Sequence, residues 1–226
     1  LAPELLTQSN FVNIYISKLH PSNDLPWAKD TEAHIAYLDR LWDFVAPLAP
    51  VHNSLKAHVL YRRLVLDRSQ GVYDASRFVA YLQLPRNAFY VNRQYLKDAN
   101  RNRYLVNLNA NYSAITLLPV VGQDEPLIRS YLDHFFVDSA DYKTYAPYLQ
   151  DIYLKEVFAE SKITHGVGNP NQWSPLLSAA KYQALRERID LDFAYTVPTT
   201  YGPDIKVSLD VHVKNVKKLI VKIYEL

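Results

Sequence analysis

The sequence predicts a mainly α-helical fold, an irregular multi-helix bundle or array of helical hairpins, followed by a short antiparallel β segment. Apolar residues recur at three- and four-residue steps through most of the chain up to Asp190. Beyond Asp190 the period becomes two. The chain also carries only five glycines against 13 prolines, which suits helices stopped by proline better than a glycine-rich β-sandwich.

Between Pro3 and Leu19, the residues Leu5, Val12, Ile16 and Leu19 share one helical stripe, although Val12, Ile14 and Ile16 also alternate as a strand would. Asp30 stands as an N-cap before Ile35, Leu38, Leu41, Trp42, Val45 and Leu48, a stripe that Pro47 and Pro50 close. From Asn53 to Gln70 a third helix carries Leu55, Val59, Leu60, Leu64 and Leu66, with Gly71 as its C-terminal cap. Asp74 then caps a shorter helix through Phe78, Tyr81 and Leu82, and Pro85 ends it. These two make an antiparallel pair.

Arg86 to Tyr112 has weak periodicity and reads as irregular, with one short helix around Arg93 to Asn100. After Gly122, Asp124, Glu125 and Pro126 favour a helix start, and Leu127, Ile128, Tyr131, Leu132 and Phe135 form its apolar face. Ile152, Val157 and Phe158 belong to another helix, and Ser174 with Pro175 opens one through Leu177, Ala180 and Leu185. Val207, Leu209, Val211 and Val213 alternate with polar residues, as do Leu219, Val221 and Ile223 after Lys214 and Asn215. They predict two strands of a half-buried hairpin, with Leu191 to Val197 as a candidate third, joined by a turn from Pro198 to Pro203. The expected division is a helical domain over 1–190 and a β-hairpin segment over 191–226 that starts a truncated β-sandwich domain.

A chain of 226 residues, 49% hydrophobic and 21% charged, can bury a core without disulfides or metals. No apolar run reaches the roughly 18 residues of a membrane span. A net charge of +2 gives no global pull toward nucleic acid. The absence of cysteine excludes disulfides, thiolate metal sites and cysteine nucleophiles. A chain that starts at Leu1, contains no methionine and ends on Leu226 after an apolar strand is expected to be a segment of a longer protein, because an open strand edge is ordinarily covered.

The run from Tyr201 through Ile205, Lys206, Val207, Ser208 and Leu209 to Leu219, Ile220, Val221, Lys222, Ile223 and Tyr224 resembles the opening strands of macroglobulin-like or other immunoglobulin-like β-domains of large bacterial envelope proteins. That resemblance implies a structural β-module and an extracytoplasmic location in the bacterial envelope. It carries over no thioester chemistry, which needs a cysteine.

Signatures of chemistry are weak. Ser178 and Lys181 have Ser-x-x-Lys spacing, but the companion motifs of penicillin-recognising enzymes are missing. Gly166-Val167-Gly168 lacks the preceding strand and third glycine of a dinucleotide loop and reads as a turn. The seven histidines include no zinc-protease pair. Asp133 and His134 with Asp138 and Asp141 form the best local acid–base group, although sequence neighbours on a helix point apart.

The strongest local bias is the basic and aromatic run of Arg86, Tyr90, Arg93, Tyr95, Lys97, Arg101, Arg103 and Tyr104, with Asp98 its only acid. Arginines can hold anions while rings stack on bases or sugars. The function expected is therefore a non-enzymatic structural or protein-interaction module of a larger multidomain protein, partnered by its flanking domains or another protein and needing no cofactor or metal. The alternatives are binding of an anionic polymer or glycan through residues 86–104, and a hydrolase whose site draws together His134, Asp138 and His165.

Overall fold

The structure, a computed structural model, describes residues 4–22, 27–198, 200–202 and 205–224. Pro3, Pro203 and Leu226, which figure in the expected first helix, turn and strand end, lie outside them. Among the described residues the fold is mainly helical with one two-stranded antiparallel sheet.

The first half follows the capping signals. Helix α1 (Ser9–Lys18) buries Val12 and Ile16. Asp30 caps α2 (Thr31–Val45) by accepting from the Ala33 amide, and Asp74 caps α4 (Ala75–Leu82) by accepting from the Arg77 amide. Each satisfies one of the amides that a helix start leaves without a partner. Asp30→Ala is expected to cost about 1 kcal/mol, read as a lower urea midpoint at unchanged slope. A change within error would mean water replaces the carboxylate at no cost.

Between them runs α3 (Asn53–Ser69), which is buried on more than one side. Leu55 and Val59 pack with α1 and α2. Ala57, Leu60 and Leu64 join Phe78, Tyr81 and Leu82 of α4, and through them α7 (Glu125–Asp138) and α8 (Asp151–Thr164). A central helix of this kind cannot show a clean polar stripe. Two of its charged residues are paired there: Arg63 reaches Asp39 at 2.9 Å and Asp67 at 2.6 Å, and Arg77 also pairs with Asp67. Two fully buried tyrosines find acceptors for the hydroxyl, Tyr37 on the Thr116 carbonyl at 2.7 Å and Tyr131 on the Leu64 carbonyl at 2.9 Å.

Several boundaries differ from expectation. The helix foreseen over 93–100 is a 3₁₀ turn at Tyr95–Lys97 followed by α5 (Ala99–Arg103), because Asp98 accepts from the Asn100 and Arg101 amides and starts a new helix there. Helices α6 (Ser113–Thr116) and α9 (Pro170–Trp173), of one turn each, were not foreseen. On α7 the fully buried rings are Tyr131 and Phe136, while Phe135 is partly exposed. Ser174 opens only a 3₁₀ turn, and α10 (Ala179–Glu187) is capped by Ser178.

The expected hairpin also pairs differently. Strand β1 (Asp190–Phe193) lies antiparallel to β2 (Val211–Lys214), with Leu191 opposite Val213. Residues 207–210 and 219–223 are in no strand and their apolar side chains are largely exposed. A twofold pattern states which residues could share a face, but the pairing partner is chosen by contacts. Here Lys214 reaches the Leu185 carbonyl, Asn215 donates to the Arg186 and Arg188 carbonyls, and Arg68 lies 3.8 Å from the Tyr195 ring centroid. These tie the β segment back to α10 and α3.

Candidate functional site

Where α4 ends, Pro85 turns the chain into a loop whose neck is closed by the Val106 amide donating to the Pro85 carbonyl at 2.7 Å. The base of the loop is pinned to the start of α8. The Gln150 amide donates to Tyr90, the Asn92 amide donates to Tyr148, and Val91 and Leu149 form an isolated β-bridge.

Beneath this base sits a buried ionic cluster. Arg86, 3% exposed, donates to Asp124 at 2.5 Å, to the Tyr81 carbonyl and, at 3.2 Å, to the Leu84 carbonyl, with its guanidinium 4.0 Å from the Tyr81 ring centroid. Asp124 also accepts from the Tyr81 hydroxyl at 2.8 Å and from the Tyr90 hydroxyl. Burial opposes the charge on Arg86, but Tyr81 and Asp124 outweigh it and hold the proton more firmly than usual. Burial likewise pushes the Tyr81 and Tyr90 hydroxyls well above the ordinary tyrosine range.

Two residues of the expected binding run lie inside the fold. Arg86 and Tyr90, the latter 2% exposed, have their polar atoms committed inside the fold. Tyr95 and Tyr104 are half-buried. The Tyr95 hydroxyl donates to the Gln83 carbonyl at 2.6 Å, its ring meets Tyr148 edge-on, and the Arg101 guanidinium lies 4.2 Å from the ring centroid. The Arg103 guanidinium lies 5.3 Å from the Tyr104 ring centroid.

The structure leaves the remaining cations at the surface. Arg93, Lys97, Arg101 and Arg103 are exposed, and among the described residues none has a carboxylate within ion-pair distance. Asp98, the one acid among them, is occupied as the cap of α5. Arg93 and Lys97 line an open cleft of about 320 Å³ together with Asn87, Leu96, Asn102 and Leu105. Arg93 donates to Asn87 at 2.8 Å.

Two components of the site carry no local signal in the sequence. Asp124 was read only as a helix-start acid, and nothing local marks it as the partner of Arg86, which is 38 positions away in sequence. Phe89, 66% exposed beside Tyr90 and Tyr153, is the other. Its exposure depends on which neighbour the loop buries.

His134, His165, Ser178 and Lys181 each have a partner within the fold. His134 stacks on Tyr73 at 3.8 Å, while His165 pairs with Asp133 at 3.0 Å, so the two histidines have different partners. Ser178 caps α10, and Lys181 pairs with Glu156 at 2.5 Å. Gly166 and Gly168 both have positive φ, as a turn requires. Among the described residues no three His, Asp or Glu side chains could together hold a metal ion, and no helix is long and apolar enough to cross a membrane.

With the geometry in hand, comparison with known proteins is informative. The family model described as "Actin-binding protein F N-terminal domain" matches residues 1–189. "Actin-binding protein F" of Dictyostelium discoideum is 30% identical over 227 residues, a match that takes in 99% of this chain and 9% of the relative. The chain thus spans about a tenth of that relative's length. No solved structure matches. These findings overturn the resemblance drawn from the last strands. The part that is recognised is the helical part, and the relative is eukaryotic, so neither β-domains of bacterial envelope proteins nor a bacterial envelope location stands. The alternation that suggested them is common to any half-buried strand.

Proposed function

The chain belongs to the family of actin-binding protein F N-terminal domains, and from that premise we propose that it is a non-enzymatic helical module of a larger protein, one that works by protein contact with actin as its partner. The observation that carries this reading is the family match over residues 1–189. One feature of the surface supports it: the cleft at Arg93 and Lys97, about 320 Å³, is open to solvent, whereas small-molecule sites mostly enclose their ligand. Contact with actin filaments would put the chain in the cytoplasm.

The test is co-sedimentation of the whole chain with actin filaments. Saturable pelleting that needs filaments is the expected result. A chain that stays in the supernatant across a filament titration at low salt removes actin as the partner of this module.

A division at Asp190 belongs to the same reading. Residues 1–190 act as the helical module, and 191–226 begin a β-domain whose further strands would cover Val207, Leu209, Leu219, Val221 and Ile223, which are about half exposed or more, Ile223 reaching 93%. The family match stopping at residue 189 supports it. A chain cut after Asp190 is expected to unfold cooperatively in urea within about 1 kcal/mol of the parent, since what it loses are surface contacts. Loss of the cooperative transition would make the β segment part of the helical unit.

A further inference from the structure

We propose that the outward face of the 85–106 loop is a docking surface for an acidic protein segment, with Arg93, Lys97, Arg101 and Arg103 supplying charge and Phe89 an apolar anchor. The proposal rests on the reading of the chain as a protein-contact module and gives that module a face.

Charge complementarity is the first argument. The whole chain carries a net charge of only +2, yet this one loop presents four exposed cations with no carboxylate partner among the described residues. Some bases elsewhere are answered, Lys155 by Asp151, Lys181 by Glu156 and Arg188 by Asp190, and what marks this loop is that two of its unanswered bases, Arg93 and Lys97, line one cleft. Four like charges held together repel one another, and an acidic partner relieves that repulsion while steering encounter.

The second argument concerns stiffness. The loop is closed at its neck by Val106 and Pro85 and anchored beneath by Arg86, Tyr90 and Asp124. Its cations therefore stand on a preorganised platform, which lowers the entropy lost on binding.

The third argument chooses the class of partner. Single-stranded nucleic acid needs open ring faces on which bases stack. Tyr90 is buried, Tyr95 lies against Arg101 and Tyr148, and Tyr104 is half-buried near Arg103. Phe89 is the large aromatic side chain that this loop leaves mostly uncovered. One exposed ring in the loop that also lines a cationic cleft suits a protein contact, where a single aromatic anchor is framed by polar residues.

The experiment compares the whole chain with R93E/K97E, with F89A, and with a control pair K18E/K143E that makes the same charge change at exposed positions outside the loop. Binding to actin filaments is measured by co-sedimentation, and binding to polyglutamate by fluorescence anisotropy over a salt series. R93E/K97E is expected to weaken filament binding at least tenfold and F89A about fivefold, while K18E/K143E stays within twofold. If the parent binds filaments and R93E/K97E binds equally well, the face is wrong while the actin reading stands. If the parent ignores filaments, actin is removed as partner and polyglutamate decides. Salt-sensitive binding abolished by R93E/K97E sustains the face, and its absence overturns it. A single-stranded RNA that binds more tightly than polyglutamate through the same residues overturns the assignment to a protein partner.

Discussion

Asp124→Ala is expected to lower the stability of the chain by about 3–5 kcal/mol, the range for breaking one side of a buried ion pair. Asp124 accepts from the Arg86 guanidinium and from the hydroxyls of Tyr81 and Tyr90. Without it Arg86 keeps its charge inside the protein with only the Tyr81 and Leu84 carbonyls as acceptors. Two buried hydroxyls lose their acceptor as well, and each such loss costs about 1–3 kcal/mol.

Removing both charges should be gentler than the two separate losses imply. The pair R86M/D124L leaves no uncompensated charge, so a double-mutant cycle is expected to return a favourable coupling of about 2 kcal/mol between the two positions. Urea denaturation at constant slope measures all four corners. A cost below about 1 kcal/mol for Asp124→Ala, or no coupling, would mean that water enters and satisfies Arg86. Hydrogen exchange supplies a local readout: the Val106 amide, bonded to Pro85 at the neck of the loop, should lose protection in Asp124→Ala before the α2 amides do.

The second large effect is a loss of stability in mild acid. His58 is 2% exposed, with Nε2 3.0 Å from the Thr116 hydroxyl, the Tyr112 ring edge-on at 5.5 Å, and no partner for Nδ1. Burial, helped by Arg62, pushes its imidazole down to about 4 from the ordinary 6.5. Between those values the unfolded chain binds a proton that the folded chain refuses. The contribution of His58 is therefore complete above about pH 6.5 and is lost as pH falls toward 4. At about 1.4 kcal/mol per pH unit, the loss is about 2 kcal/mol by pH 5 and about 3 kcal/mol by pH 4. His34 and His52 are also pushed down by burial and act in the same direction.

Because carboxylates protonate over part of this range, the clean measurement is a difference. Unfolding free energies of the parent and His58→Gln should converge as pH falls from 7 to 5, the parent losing about 2 kcal/mol more. Parallel pH profiles would show that His58 is already solvated in the folded chain.

Helix existence and the charged caps were legible in the sequence because both are local. Asp30 and Asp74 meet amides three residues on, and the stripe of α2 lies within its own 15 residues. The boundary near Asp190 was legible for a similar reason, as a change of period. The short helices α6 and α9 were not, since one turn carries no period to read. Strand pairing was not legible either. Val211–Lys214 has an equally plausible partner on each side in sequence, and the contacts of Lys214 and Asn215 with the end of α10 accompany the pairing with Asp190–Phe193.

The candidate site divides in the same way. Sequence alone determined that a basic and aromatic run lies between Pro85 and Val106, and it determined the helical class of the module that carries the run. Only the tertiary structure decided that Arg86 and Tyr90 turn inward to Asp124 while Phe89, Arg93, Lys97, Arg101 and Arg103 face out. The physical reason is that a side chain's charge and shape are written in its own letter, whereas its burial is set by partners such as Asp124 that the chain brings close only on folding.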